Sequence, residues 1–161
     1  MMGIRSFVYD LVKVNLLRIT TAGGYSQDIT ATNIKEFFGP DHRWNNDHYP
    51  IIEIMYPGEE LRELADQSTV ISMVLIIRLH VRNSTLQTLL EFIDDVEEVL
   101  TTTLSYPTGY DSLTNVEVLH IVMSGIEAEH PSLEANHDAY HSAMLTVEIA
   151  ATHSMQDHAQ Y

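Results

Sequence analysis

The chain has 161 residues, and at ~150 residues per domain this predicts one domain spanning 1–161. Lys and Arg number 8 against 23 Asp and Glu, a net charge of −15 that argues against the clustered cations nucleic-acid and anionic-membrane binders use. The absence of cysteine removes thiol catalysis, thiolate metal sites and disulfide scaffolds together, and is compatible with a reducing cytoplasm.

The first predicted element is a helix from about Ile4 to Ile19, with Ile4, Phe7, Val8, Leu11 and Ile19 on one side of a 3.6-residue period. Asp10 interrupts its early apolar stretch, so no signal peptide is expected. Gly23 and Gly24 supply a stop and a turn. Between Tyr25 and Tyr49 the pattern is ambiguous, with one short strand around Ile34 to Phe38 before Gly39 and Pro40. Ile51 to Tyr56 forms a strand bounded by Pro50 and by Pro57 and Gly58. Glu59 to Gln67 is a polar excursion with room for one helical turn.

A long strand follows from about Val70 to Arg82, in which Ile71, Met73, Leu75, Ile77, Leu79 and Val81 alternate as a core face. Its apolar-rich run falls far short of the ~20 residues of a membrane span. The opposite face is mixed and ends in Arg78, His80 and Arg82. Such a strand either pairs beyond its own sheet or forms a long hairpin within one chain. Ser84 and Gln87 have capping-box spacing before a helix with Leu86, Leu89, Leu90, Ile93, Val96, Leu100 and Leu104 as its apolar stripe. Glu91, Asp94, Asp95, Glu97 and Glu98 occupy its other side, and Pro107 and Gly109 close it. Two strands remain, about Val116 to Ile126 and Ser142 to Ala151, separated by a polar stretch from Glu127 to His141. This order predicts an α+β fold: a mostly antiparallel or mixed sheet of four to five strands with two helices packed on one face.

Nine histidines are the one feature that could hide an active site. They cluster as Asp41, His42, Asp47 and His48, and as His130, His137, Asp138 and His141. On a helix, His137 and His141 would stand one turn apart and could chelate a divalent metal. No Glu lies between them as in a zinc protease, so solvated loop residues are the simpler reading and no metal or cofactor is expected. Phosphate-cradling glycine loops and a serine nucleophile elbow are missing. The acidic pairs read as solvated surface, and no catalytic residues are expected.

A charge of −15 exceeds the magnitude of ~2–8 that solubility asks of a small domain. Charge of one sign can exclude a like-charged polymer such as DNA, or simply keep the monomer soluble. The phrases TTAGGYSQDI, HYPIIEIMYPGEE, TVISMVLIIRLHV, LQTLLEFIDDVEEVL and AMLTVEIAAT, in this order, span almost the whole chain. Together they resemble the tail terminator proteins of long-tailed bacteriophages, through Gly24-Tyr25, Tyr49-Pro50 and Val147-Glu148-Ile149 in particular.

The resemblance implies a structural virion protein that forms a homohexameric ring at the head-proximal end of the tail tube. Such a ring ends tube polymerisation and offers its other face to a head-completion or stopper protein. DNA passes through its lumen without specific binding, no membrane is involved, and assembly takes place in the host cytoplasm. Under this reading Arg78, His80 and Arg82 meet acidic residues of the adjacent copy, the long strand pairing at a neighbour's sheet edge. Glu59, Glu60, Glu63, Glu127, Glu129 and Glu134 lie on luminal or axial loops. The alternatives are a tail tube or head–tail joining protein, or a metal-dependent hydrolase built on His137, Asp138 and His141.

Overall fold

A computed structural model describes residues 4–36, 48–58, 60–65, 68–82, 84–101, 116–128, 132–133 and 139–154. Helix α1 (Ile4–Leu16) and helix α2 (Leu86–Thr101) accompany seven strands: β1 (Ile34–Lys35), β2 (Ile51–Met55), β3 (Glu60–Ala65), β4 (Ser68–Arg82), β5 (Val116–Ala128), β6 (Ser132–Leu133) and β7 (Ala139–Ser154). Five follow one another across a single sheet in the order β1-β2-β4-β7-β5, while β3 lies against β4 and β6 against β7. The pairs are antiparallel except β1 with β2, so the sheet is mixed. The expected α+β class is the observed one.

Both helices cover the same face of this sheet. Phe7, Val8, Leu11, Val12 and Leu16 of α1 join Leu89, Phe92, Ile93, Val96, Val99 and Leu100 of α2 in one core. The sheet supplies the alternating residues Ile71 to Val81 of β4 and Ala143 to Ala151 of β7. Period-2 strands and period-3.6 helices thus meet along their apolar sides, where each fully buried aliphatic side chain contributes ~1.5–3 kcal/mol.

Several boundaries depart from the sequence expectations. Helix α1 stops at Leu16 because Arg18 and Ile19 donate their amides three residues back, at 3.1 Å each, which tightens the last turn. Ile19 then pairs with Ile29, whose amide donates to its carbonyl at 2.8 Å, and Gly24 takes the left-handed φ of 93°. Helix α2 is capped by Thr85 rather than Ser84: Thr85 Oγ1 accepts the Thr88 amide at 3.3 Å. Its buried stripe is accordingly rotated, with Phe92 and Val99 inside and Leu86 and Leu90 exposed. Leu104, Pro107 and Gly109 lie outside the described residues; β1 ends at Lys35, before Glu36, and the rest of its expected extent, Phe37 and Phe38, lies outside them too.

The polar excursion Glu59 to Gln67 is a strand over most of its length, not a helical turn. β3 pairs antiparallel with β4 from Glu60 opposite Met73 to Ala65 opposite Ser68, so the two make a hairpin. β2 continues the same side of β4, from Met55 opposite Ile76 to Ile51 opposite His80. More residues separate Met55 from Glu60 than separate Met73 from Ile76, so the chain loops out there, with Gly58 at φ 82°.

On its other side β4 is paired with β7 along its whole length, from Ser68 opposite Ser154 to Arg82 opposite Tyr140. Among the described residues it is therefore flanked on both sides by strands of its own chain. β4 makes a hairpin with β3 over Ser68–Met73 only, and its full-length partner β7 is remote in sequence.

Candidate functional site

The mixed face of β4 carries the most unusual chemistry in the described structure. Cross-strand partners share a sheet face, which places Glu53 beside Arg78, and His80 beside Ile51 and Ser142. Arg78 Nη2 donates to Glu53 Oε2 at 3.1 Å, and His80 Nε2 lies against Glu53 Oε1. Glu53 is 1% exposed, Arg78 8% and His80 2%. A carboxylate taken this far from water is tolerable only with such partners.

Arg78 and His80, expected to face acids of an adjacent copy, thus meet an acid of their own chain. Ser142, 1% exposed, completes a constellation of acid, imidazole and hydroxyl residues that sequence reasoning missed. The signal was legible: a single Glu inside Ile-Ile-Glu-Ile-Met, one strand away from a basic face. All its members are buried, and the Glu53–Arg78 pair links neighbouring positions of β2 and β4.

Arg82, the third member of the expected set, is half-buried at the end of β4. Its guanidinium lies 5.7 Å from the centroid of the Tyr49 ring, a cation–π arrangement. Tyr49 precedes β2 and is positioned by Asn33. Asn33 Nδ2 donates to the carbonyls of His48 at 3.0 Å and Pro50 at 2.9 Å, while its Oδ1 accepts the Thr30 amide at 2.7 Å. One buried amide therefore ties the η-turn at Ala31–Asn33 to the start of β2.

Of the expected luminal acids, Glu60 lies at the start of β3 and is already engaged. It accepts Arg5 Nε at 2.7 Å and Tyr56 Oη at 2.7 Å. The hydrogen bond to Glu60, as well as its charge, holds the guanidinium pKa of Arg5 above its ordinary value and does the same for the Tyr56 phenol. Glu63 falls in β3 and Glu127 in β5, both strands rather than loops, and Glu59, Glu129 and Glu134 lie outside the described residues.

Among the described residues, four exposed acids gather on α2 at Glu91, Asp94, Glu97 and Glu98. Asp95 departs from that surface: its carboxylate accepts the Ser26 amide at 2.9 Å and also the Ser26 hydroxyl, locking the loop after α1 onto α2. Nothing in the helical period distinguishes Asp95 from its neighbours, so no local pattern marks this contact.

Of the two histidine clusters the described residues include only His48 and His141. His141 lies in β7, a strand rather than the helix on which a one-turn pair with His137 was considered. His48 Nδ1 sits 3.0 Å from Lys35 Nζ, beside a cation rather than a carboxylate. Asp41, His42, Asp47, His130, His137 and Asp138 lie outside the described residues, among which no group of three metal-ligating side chains occurs. Among the described residues no helix is long and apolar enough to cross a membrane.

Among the described residues β5 is a terminal strand of the sheet, as is β1 on the opposite side, whereas β4 is internal. Among the described residues β5 pairs only with β7, from Val116 opposite His153 to Ala128 opposite Ala143. Its register slips between Val118 and His120 and again between Met123 and Gly125. Val122, between the two slips, is 48% exposed. No protein-family model and no curated protein matches the chain.

Proposed function

We propose that this chain is a structural subunit of a long-tailed phage virion, a terminator that closes the head-proximal end of the tail tube as a ring of identical copies. The observation that carries the reading is the outer edge of β5, thirteen residues long and paired on one side only among the described residues. A strand edge presents a row of main-chain donors and acceptors, and a neighbouring copy can satisfy them. Contacts between different surfaces of identical copies close into rings when the rotation per copy allows it. The two bulges interrupt the edge, which favours a partner whose own strand matches the interruptions over indiscriminate pairing.

The resemblance across almost the whole chain supports the terminator role, and the α+β architecture is compatible with it. The tail tube protein and a head-completion protein are the partners this role implies. The exposed acids of α2 are suited to a surface that DNA passes without adhering.

Electron microscopy of the purified protein, alone and mixed with isolated tail tubes, tests the proposal. Single rings seated on one end of the tubes are expected. Long self-assembled cylinders would assign the chain to the tube itself, and bare tube ends beside dispersed monomers would overturn the reading.

A further inference from the structure

Charge is unevenly placed along the chain. All 8 Lys and Arg lie at or before Arg82, whereas 13 of the 23 Asp and Glu follow it. Strand order carries this division into space, because β1 to β4 come from the first part and β5 and β7 from the second. β5 and β7 contain Glu117, Glu127 and Glu148 and neither Lys nor Arg, while β3 contains Arg62 between Glu60 and Glu63. Among the described residues β3 pairs only with β4 and β5 only with β7, on opposite sides of the β4–β7 pair.

Two arrangements bring a second copy to the β5 edge. In the first, two β5 strands pair antiparallel over their full length, Val116 opposite Ala128, about a two-fold axis at Val122. Glu117 then stands opposite Glu127 twice, and like charges directly opposite are destabilising. The register slips after Val118 and after Met123 also enter from both strands at once. In the second arrangement β5 meets β3 of the next copy. β4 runs the same way as β5, through β7, and β3 runs opposite to β4, so a sheet continued from copy to copy makes this pair antiparallel. A strand of 6 residues can be seated across one slip, whereas a second β5 crosses both and brings its own.

We infer that the β5 edge takes β3 of the next copy rather than a second β5, so that copies join head to tail with their sheets continuous. The inference rests on the ring reading above and names the surface that β5 meets. The acidic side of one copy then adjoins the part of its neighbour that carries every Lys and Arg, not another acidic side. A head-to-tail row ends in one β3 edge and one β5 edge, which can meet and close, whereas a two-fold β5 contact stops at a dimer.

The chain has no cysteine, so single introduced cysteines report the contact directly. Glu63 stands opposite Val70, and Val122 opposite Glu148, itself opposite Val74, so both positions belong to one face of the sheet. Val122 is 48% exposed and tolerates replacement. Full-length Glu63→Cys and Val122→Cys proteins are treated with a short bis-maleimide, each alone and then mixed, with and without isolated tail tubes. Circular dichroism checks folding, and Leu61→Cys, on the same face, replaces Glu63→Cys if that variant is unfolded. Crosslinked dimers that form only in the mixture are the expected result, and a chain carrying both cysteines should give a ladder of higher multimers. Dimers in Val122→Cys alone overturn the inference. Rings or association seen by microscopy and sedimentation, without the mixed crosslink, also overturn it and leave the ring reading standing. Monomers that neither associate nor seat on tubes overturn the ring reading and the inference with it.

Discussion

Ile77 and Arg78 are neighbours on β4 and both are buried, but they are buried in opposite ways. Ile77 points under the helices into a core of aliphatic and aromatic side chains, while Arg78 points to the other face and into a carboxylate. The first face tolerates substitutions that keep volume, because apolar contact has no direction. The second tolerates almost none, because removing one partner leaves a charge or a hydrogen-bonding group stranded without water. One strand thus draws its stability from two sources that respond differently to mutation.

The largest effect is expected from emptying the helix-covered side. Phe92→Ala removes a fully buried ring and should cost about 3–5 kcal/mol in chemical denaturation. On the other face, Glu53→Ala should cost about as much, ~3–5 kcal/mol, although far less volume is lost from the apolar core. Added salt should not restore it, since a buried pair is barely screened. A Glu53→Ala loss as small as that of an exposed ion pair would show that the two faces do not differ as described.

An intermediate effect is expected where a loop is pinned to α2. Asp95→Ala deprives the Ser26 amide and hydroxyl of their acceptor and should cost ~1.5–3 kcal/mol, with faster hydrogen exchange at Ser26. A smaller, pH-dependent effect comes from α1. Burial, and then the charge of Glu36, raise the Tyr9 phenol above its ordinary pKa, and the hydrogen bond to Glu36 raises Lys13. Both groups keep their protons longer in the folded chain than in the unfolded one. Their contribution is complete below the ordinary values near ~10 and is lost as pH rises through the folded ones. The thermal midpoint should therefore fall above about pH 10, and Tyr9→Phe should make that fall shallower.

The smallest effect is expected at Arg5. Its side chain is 48% exposed, so Arg5→Ala should cost no more than ~1 kcal/mol, and less at high salt. Urea midpoints of that variant at low and high salt check this, and set the scale for the buried cluster.

The apolar half of this comparison was legible in the sequence. Strict alternation from Ile71 to Val81 and the spacing of Phe7, Val8 and Leu11 place these residues in the core where they are found. The α2 stripe was legible in kind but misplaced by rotation, because Leu86 and Leu90 fit the period as well as Phe92 and Val99 do. Only packing against the sheet decides between them. β3 was missed because Glu60 to Ala65 has weak strand preference of its own and is held by its register on β4.

The polar half was less legible. Arg78 and His80 were marked as unusual, yet their partner Glu53 lies twenty-five residues from Arg78 and hides in an apolar run. Which edge of the sheet stays open depends on strand order, and no local pattern encodes that order. The expectation that a long strand reaches a neighbour thus falls on β4, whereas among the described residues β5 is a terminal strand of the sheet.

Hydrogen exchange of the β5 amides, followed across protein concentration and reported against those of β4, tests the assembly account most directly. Protection over Val116–Ala128 that rises as copies associate, with β4 protected throughout, is the predicted result. Exchange in β5 that is the same at every concentration, whether the chain stays monomeric or associates through another surface, would contradict it.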